Sequence, residues 1–132
     1  KPLKAVRAVA LTTLQKMVRL RDADNNGYCK CVTCGCVRRW NEGMQGGHFI
    51  AKGKGGTNQW ALDERNVHPQ CAECNSFGMK FHNKQARYTM YMIRRYGPEL
   101  VDMMTLQNKV TKYTRGELMI LTDKWKKEIK FR

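Results

Sequence analysis

The 132 residues, 42% of them hydrophobic, suffice for one compact domain, and no apolar run approaches the ~20 residues of a membrane span. Lys and Arg total 25 against 11 Asp and Glu, a net charge of +14 that points to a polyanionic partner, because neutralising phosphates releases condensed counterions. A merely solvated basic surface, an acidic protein or a membrane face would explain the same charge less directly.

The excess sits in the first 30 residues and beyond Cys74, so basic arms flank a nearly balanced centre. The chain begins at Lys1 rather than Met, as a trimmed piece would; it shows no charged-then-apolar leader, and a cytoplasmic location is expected. Leu3, Val6, Ala10, Leu14, Met17 and Leu20 recur at helical spacing with Arg7, Lys16, Arg19 and Arg21 between them, which predicts a basic amphipathic helix within residues 1–22. The turn formers Asp22 to Gly27 end it. Tyr28 to Arg39 reads as a short hairpin carrying the first cysteine pair. Gly43 to Gly56 holds six glycines, broken by a strand-like run His48 to Ala51; the composition disfavours helix there, and close approach of the backbone to something is expected.

Asn66 to Pro69 reads as a second short strand leading into Cys71 and Cys74, and a helix is expected from Ala72 to Phe81. Further helices follow over Lys84 to Tyr96, halted by Gly97-Pro98, over Glu99 to Gln107, and over Thr114 to Phe131, where Leu118, Leu121, Trp125 and Ile129 share one face. The expected class is α+β and mostly helical: a small core at 28–82 flanked by the first helix and the helices of 84–132, in one domain. The apolar stripes of the first and last helices would form a dimer interface or pack on the core.

Spacing decides how the six cysteines are read. Cys31-x-x-Cys34 and Cys71-x-x-Cys74 are two metal-ligand pairs, the pattern of a tetrahedral structural Zn²⁺ in a reducing compartment. The 36 residues from Gly35 to Gln70 exceed a simple zinc ribbon, so something structured is held inside the loop. Gly35 suits the tight knuckle after Cys34. Cys29 and Cys36 fall outside this register and read as packing or incidental thiols.

All three histidines, His48, His68 and His82, lie within or just past the zinc loop. In chain order the segment runs Gly46-Gly47-His48-Phe49-Ile50, then Asn66-Val67-His68-Pro69-Gln70-Cys71, then Cys74-Asn75. This resembles the HNH (His-Me finger) nuclease motif, whose three marked positions would be His48, Asn66 and Asn75. With Cys31, Cys34-Gly35 and Glu64-Arg65 added, it looks like the phage NinG/Rap recombination endonucleases, over a stretch from the first helix to about Met103. The resemblance implies a zinc-stapled ββα-metal fold. It also implies an endonuclease cutting branched recombination intermediates such as Holliday junctions, in the host cytoplasm. One departure stands out. Many HNH enzymes carry an acidic metal ligand immediately before the histidine, where this chain has Gly47, and Gln45 also stands where an acidic residue is expected.

The chemistry can be stated from the residues themselves. A histidine with an ordinary pKa near ~6.5 can deprotonate water at neutral pH. Mg²⁺ or Mn²⁺, binding few protein ligands, would relieve charge at the phosphate, with the Asn75 amide as a weak ligand fixed by its place beside Cys74. Asn75 also suits a helix N-cap. Asn66 is expected to bond across the loop and orient His48. His68 reads either as a second cation ligand or as a structural hydrogen-bonding group, His82 as a phosphate contact or a surface residue, and Glu64 as the partner of a basic neighbour. Lys52, Lys54, Arg65, Lys80 and Lys84 are candidate phosphate contacts, any of which is otherwise simply solvated. Two symmetric cuts in a junction need two such sites, hence an expected homodimer. The rival readings are a zinc module that binds nucleic acid without cutting it, and an HNH nicking, homing or restriction enzyme acting on linear duplex.

Overall fold

Helical spacing of apolar residues sets the outer shell of the protein, whose computed structural model describes residues 2–76 and 83–132. Helix α1 (Leu3–Arg21) turns Ala10, Leu14, Met17 and Val18 inward and ends on Arg19 and Arg21, cations that complement the negative end of its dipole. Helix α5 (Arg115–Lys130) opens on a capping box, Thr114 accepting from the Glu117 backbone while the Glu117 carboxylate accepts from Thr114 N–H. Its Leu118 and Trp125 join Ala10, Leu14, Met17 and Val18 of α1, together with Leu62 and Val67, in one buried cluster. The apolar stripes of α1 and α5 therefore cover each other within the chain, and a dimer would have to use another surface.

Two antiparallel hairpins fill the centre. β1 (Tyr28–Lys30) pairs with β2 (Val37–Arg39), and β3 (Met44–His48) pairs with β4 (Val67–Cys71), Met44 opposite Cys71, Gly47 opposite His68 and His48 opposite Val67. The strand expected at His48 to Ala51 is thus displaced upstream, so that His48 is its last residue. Close approach explains why glycines sit inside it. A Cβ on Gly46 would lie 2.9 Å from the Gln15 Cα of α1, and one on Gly47 would lie 1.9 Å from Gln70 Oε1. Gln70 thereby leaves no room for an acidic side chain at position 47. Beyond His48 the chain bends and buries Phe49 in a second cluster.

That second cluster lies under α3 (Lys84–Tyr96) and α4 (Pro98–Leu106), where Phe49 and Trp60 meet Tyr88, Met92, Val101 and Met104. Gly97, at φ 92°, breaks the two helices apart, and Pro98 opens α4 at a position where its missing N–H costs nothing. Between the hairpins a third cluster gathers Cys29, Cys31, Met44, Cys71 and Cys74. From Cys71 the chain runs directly into α2 (Ala72–Ser76). The rest of the helix expected there, to Phe81, lies outside the described residues, as do Lys80 and His82. The result is a mixture of helices and small sheets with a cysteine cluster at its centre. None of the described helices is long and apolar enough to cross a membrane.

Candidate functional site

The cysteine cluster is built by a loop and a strand end. The sulfurs of Cys31, Cys34, Cys36 and Cys71 all lie within 4.8 Å of one another. Cys34 and Cys71 are 3.8 Å apart, far beyond the ~2.05 Å of a disulfide, and all six thiols are free. Burial would push the Cys31 thiol up. Backbone N–H groups of Cys34, Cys71 and Thr33 and the Thr33 hydroxyl outweigh it, and the pKa falls to about 6. Cys36, Cys71 and Cys74 are instead pushed up, first by burial and then by their neighbouring thiols. Cys34 is lowered as well, because hydrogen bonds from the Cys36 backbone and thiol outweigh its burial, so thiolate character gathers on Cys31 and Cys34 while the neighbouring thiols resist ionising beside them. A dication relieves that conflict, since every ligand thiol must give up its proton to bind. The donor set therefore fits zinc.

The membership of the cluster corrects one reading from the sequence. Cys36, set aside there as incidental, stands inside the mutually close group, whereas Cys74 is joined to it through contacts with Cys71, Cys34 and Thr33. Five thiols surround a site that takes four. The signal was present in the Cys34-Gly35-Cys36 spacing, but only the β1–β2 hairpin, with Cys31 N–H donating to Cys36 C=O at 2.8 Å, folds Cys36 back on Cys31.

His48 closes β3, half-buried. Its Nε2 is 2.9 Å from the Ala61 carbonyl oxygen. A carbonyl only accepts, so Nε2 carries the proton and Nδ1 is left as the basic nitrogen. Burial first, and then the Lys52 charge, hold the His48 pKa below the usual histidine value, with the Ala61 bond offsetting part of this. The ring is therefore neutral at pH 7. Asn66, fully buried, holds the loop that supplies Ala61. Its Nδ2 donates to the carbonyls of Ile50 (2.9 Å) and Trp60 (3.0 Å), and its Oδ1 accepts from Ile50 N–H (2.8 Å). One amide thus spans both sides of the loop next to His48.

Asn75 donates from Nδ2 to Gln45 Oε1 at 2.7 Å. Gln45 lies three residues before His48, an odd separation that puts the two on opposite faces of β3. Among the described contacts Asn75 is thus joined to Gln45 and not to His48.

His68 is corrected as a cation ligand, because both of its ring nitrogens are already used. The Tyr88 hydroxyl donates to Gly47 C=O at 2.7 Å, so it can only accept from His68 Nδ1–H at 3.1 Å, and Tyr96 O–H then donates to His68 Nε2 at 2.8 Å. Every proton in this chain is placed by the one before it. It ends on the peptide that precedes His48. Burial, with Arg21 and Arg95 adding to it, depresses the His68 pKa to about 3. The sequence places both tyrosines only on a helix, and no spacing rule marks a partner 20 residues away.

The candidate phosphate contacts diverge. Lys52 and Lys54 are exposed beside the His48 loop. Arg65 is engaged by Asp63 through two bonds of 3.0 and 2.8 Å, so its charge is largely matched. Lys84 opens α3, half-buried. Glu64 accepts from Trp125 Nε1 at 3.0 Å and sits 3.5 Å from Lys124, tying the loop to α5. Apart from the cysteines, no group of three His, Cys, Asp or Glu side chains gathers anywhere among the described residues. Beside Asn75 the contact is the Gln45 amide, a neutral and weak ligand pair for Mg²⁺ or Mn²⁺.

The sequence matches the family model described as "Bacteriophage Lambda NinG protein" over residues 1–131. Similar curated proteins include "Protein ninG" of Escherichia phage 933W and of Enterobacteria phage VT2-Sa, each 26% identical over 123 residues. "Protein ninG" of Salmonella phage P22 is 25% identical over 123 residues. The aligned part covers 92% of this chain but only 54–55% of those proteins, so the chain spans about half their length. No solved structure matches.

Proposed function

Starting from a chain that belongs to the bacteriophage lambda NinG family, we propose that it is an HNH-type endonuclease that hydrolyses phosphodiester bonds in branched DNA such as a four-way junction. The observation that carries this reading is the neutral His48 ring, locked by the Ala61 carbonyl into the tautomer whose Nδ1 accepts a proton. As water attacks phosphorus, His48 Nδ1 takes its proton, one P–O bond forms and another breaks, and the departing oxygen is protonated from solvent. Asn66 keeps the Ala61 loop in place, and the Tyr96–His68–Tyr88 chain holds the Gly47 peptide; both orient His48 without touching substrate. Zinc, bound by four of the five clustered thiols, fixes the end of β4 and hence α2. A divalent ion for the phosphate would have the Asn75 amide oxygen as its protein ligand and would take its other ligands from the phosphate and water. In this reading it is Mg²⁺ or Mn²⁺ supplied from solution with the DNA. Symmetric cutting calls for two copies of the site, so the working form on a junction is a homodimer, and a phage-encoded protein of this kind acts in the host cytoplasm.

The pairing of Asn75 with the neutral Gln45 amide favours one alternative, a zinc module that binds nucleic acid without cutting it. A cleavage assay with Mg²⁺ on a four-way junction, beside a linear duplex of the same sequence, separates the readings. Paired cuts in the junction alone, lost in His48→Ala, are expected. Cuts in both substrates would indicate a sequence-directed or general nuclease, and tight binding without cutting in either Mg²⁺ or Mn²⁺ would leave the binding module standing.

A further inference from the structure

Outside the His48 region a cationic concavity lies between α3 and the first cysteine loop. It is a cleft of about 510 Å³ whose walls carry Lys30, Arg87, Tyr91, Arg94 and Arg95, with Asp22 as the one acidic residue of the lining. Positions 87, 91 and 94–95 fall on one side of α3 because they follow the three-to-four-residue spacing of a helix. Asp22 is already matched. Arg21 binds it at 2.8 and 2.9 Å, and Arg95 at 3.0 and 3.2 Å. Lys30, Arg87 and Arg94 line the cleft and are exposed, and the one carboxylate of the lining, Asp22, is bonded to Arg21 and Arg95.

The walls are rigid for identifiable reasons. The far wall is the Val32–Gly35 loop, held by the thiol cluster. Arg87 reaches it with Nη1 to Thr33 C=O at 3.4 Å, and Tyr91 O–H accepts from Arg95 at 2.6 Å. On its inner side α3 is pinned by Tyr88 and Tyr96 through His68. Arg87 and Arg95, bonded in this way, have less ordering left to do when a ligand arrives. Seven residues of helix between Arg87 and Arg94 rise about 10 Å, the axial length of roughly three phosphates of one B-DNA strand.

We propose that this cleft is a nucleic-acid backbone site in which Arg87 and Arg94, with Lys30, clamp phosphates of a strand laid between α3 and the cysteine loop. The proposal rests on the DNA-binding part of the reading above and deepens it, adding a grip on the backbone distinct from Lys52, Lys54 and Arg65.

The test is equilibrium binding of a labelled four-way junction to the zinc-loaded protein across 50–300 mM salt, without added divalent ion. Removing two phosphate contacts should lower the slope of log affinity against log salt by about 1.8, equivalent to roughly thirty-fold weaker binding at 0.15 M. Arg87→Gln/Arg94→Gln is expected to show this loss with zinc content intact. Arg87→Lys/Arg94→Lys should keep most of the slope, and Lys126→Gln/Lys130→Gln on α5, which removes the same net charge elsewhere, should lose clearly less. If the double Gln variant loses its zinc, Arg94→Gln alone carries the test, with an expected slope change of about 0.9. Unchanged affinity and slope in the Gln variants, or an equal loss in the α5 control, would overturn the cleft as the site. A wild-type protein that binds no junction at any salt fails earlier and removes the DNA reading itself, so the two failures are distinguishable.

Discussion

Asn66→Ala tests whether the His48 loop is held as described. The substitution removes two donated bonds and one accepted bond from a side chain with no solvent exposure, and leaves the Ile50 N–H and the Ile50 and Trp60 carbonyls without their partner. Three such bonds are worth about 1 kcal/mol each net, and orphaning their partners raises the total to about 3–5 kcal/mol. That is a large share of the ~5–15 kcal/mol by which a domain is stable. Urea unfolding of the zinc-saturated protein should show the loss as a lower midpoint at unchanged slope. The His48 ring, freed from the Ala61 loop and opened to water, should titrate closer to the ordinary histidine value in an NMR pH series, because burial is the main cause of its depression. A loss below about 1 kcal/mol with an unmoved His48 titration would mean that Asn66 does not organise this loop.

Three other outcomes follow from the same geometry. Chelating the metal should unfold the centre of the molecule, since structural zinc sites supply ~10–16 kcal/mol of apparent binding energy; loss of far-UV dichroism and rapid proteolysis within residues 28–76 would register it, and a chelator-treated protein that stays folded would refute it. Cys31→Ser should abolish zinc retention, and paired zinc titrations of Cys36→Ser and Cys74→Ser will show which supplies the fourth sulfur; the packing described here puts the larger loss on Cys36. With His68 held near 3 in the folded state, the unfolded chain takes up its proton first as pH falls below about 6.5, so this contribution to stability is complete above that pH and is lost downward from it. From pH 7 to 5.5, above the range where acid strips zinc thiolates, His68 alone should cost about 1.2 kcal/mol, a slope that His68→Gln flattens.

Much of this protein is legible in its sequence because the relevant physics is local. The 3.6-residue spacing of Leu14, Met17, Leu118 and Trp125 announces α1 and α5, Gly97-Pro98 divides α3 from α4, and the two C-x-x-C pairs announce a metal site, since each of these signals lies within a few residues of its effect. Net charge, a sum over the chain, pointed to a polyanion without any fold. Pairing across distance was decided only by the tertiary structure. The close approach expected of the glycine run fell at Gly46 and Gly47, but only the fold named Gln15 and Gln70 as its partners and moved the strand upstream. His68 lost its role as a cation ligand to two tyrosines 20 and 28 residues on, Cys36 entered the thiol cluster through a hairpin register, and the arginines of α3 formed a cleft only once the cysteine loop stood opposite them. A hydrogen bond or a shared cleft depends on distances of a few ångströms between segments far apart in the chain, and residue order carries those distances only through the complete fold.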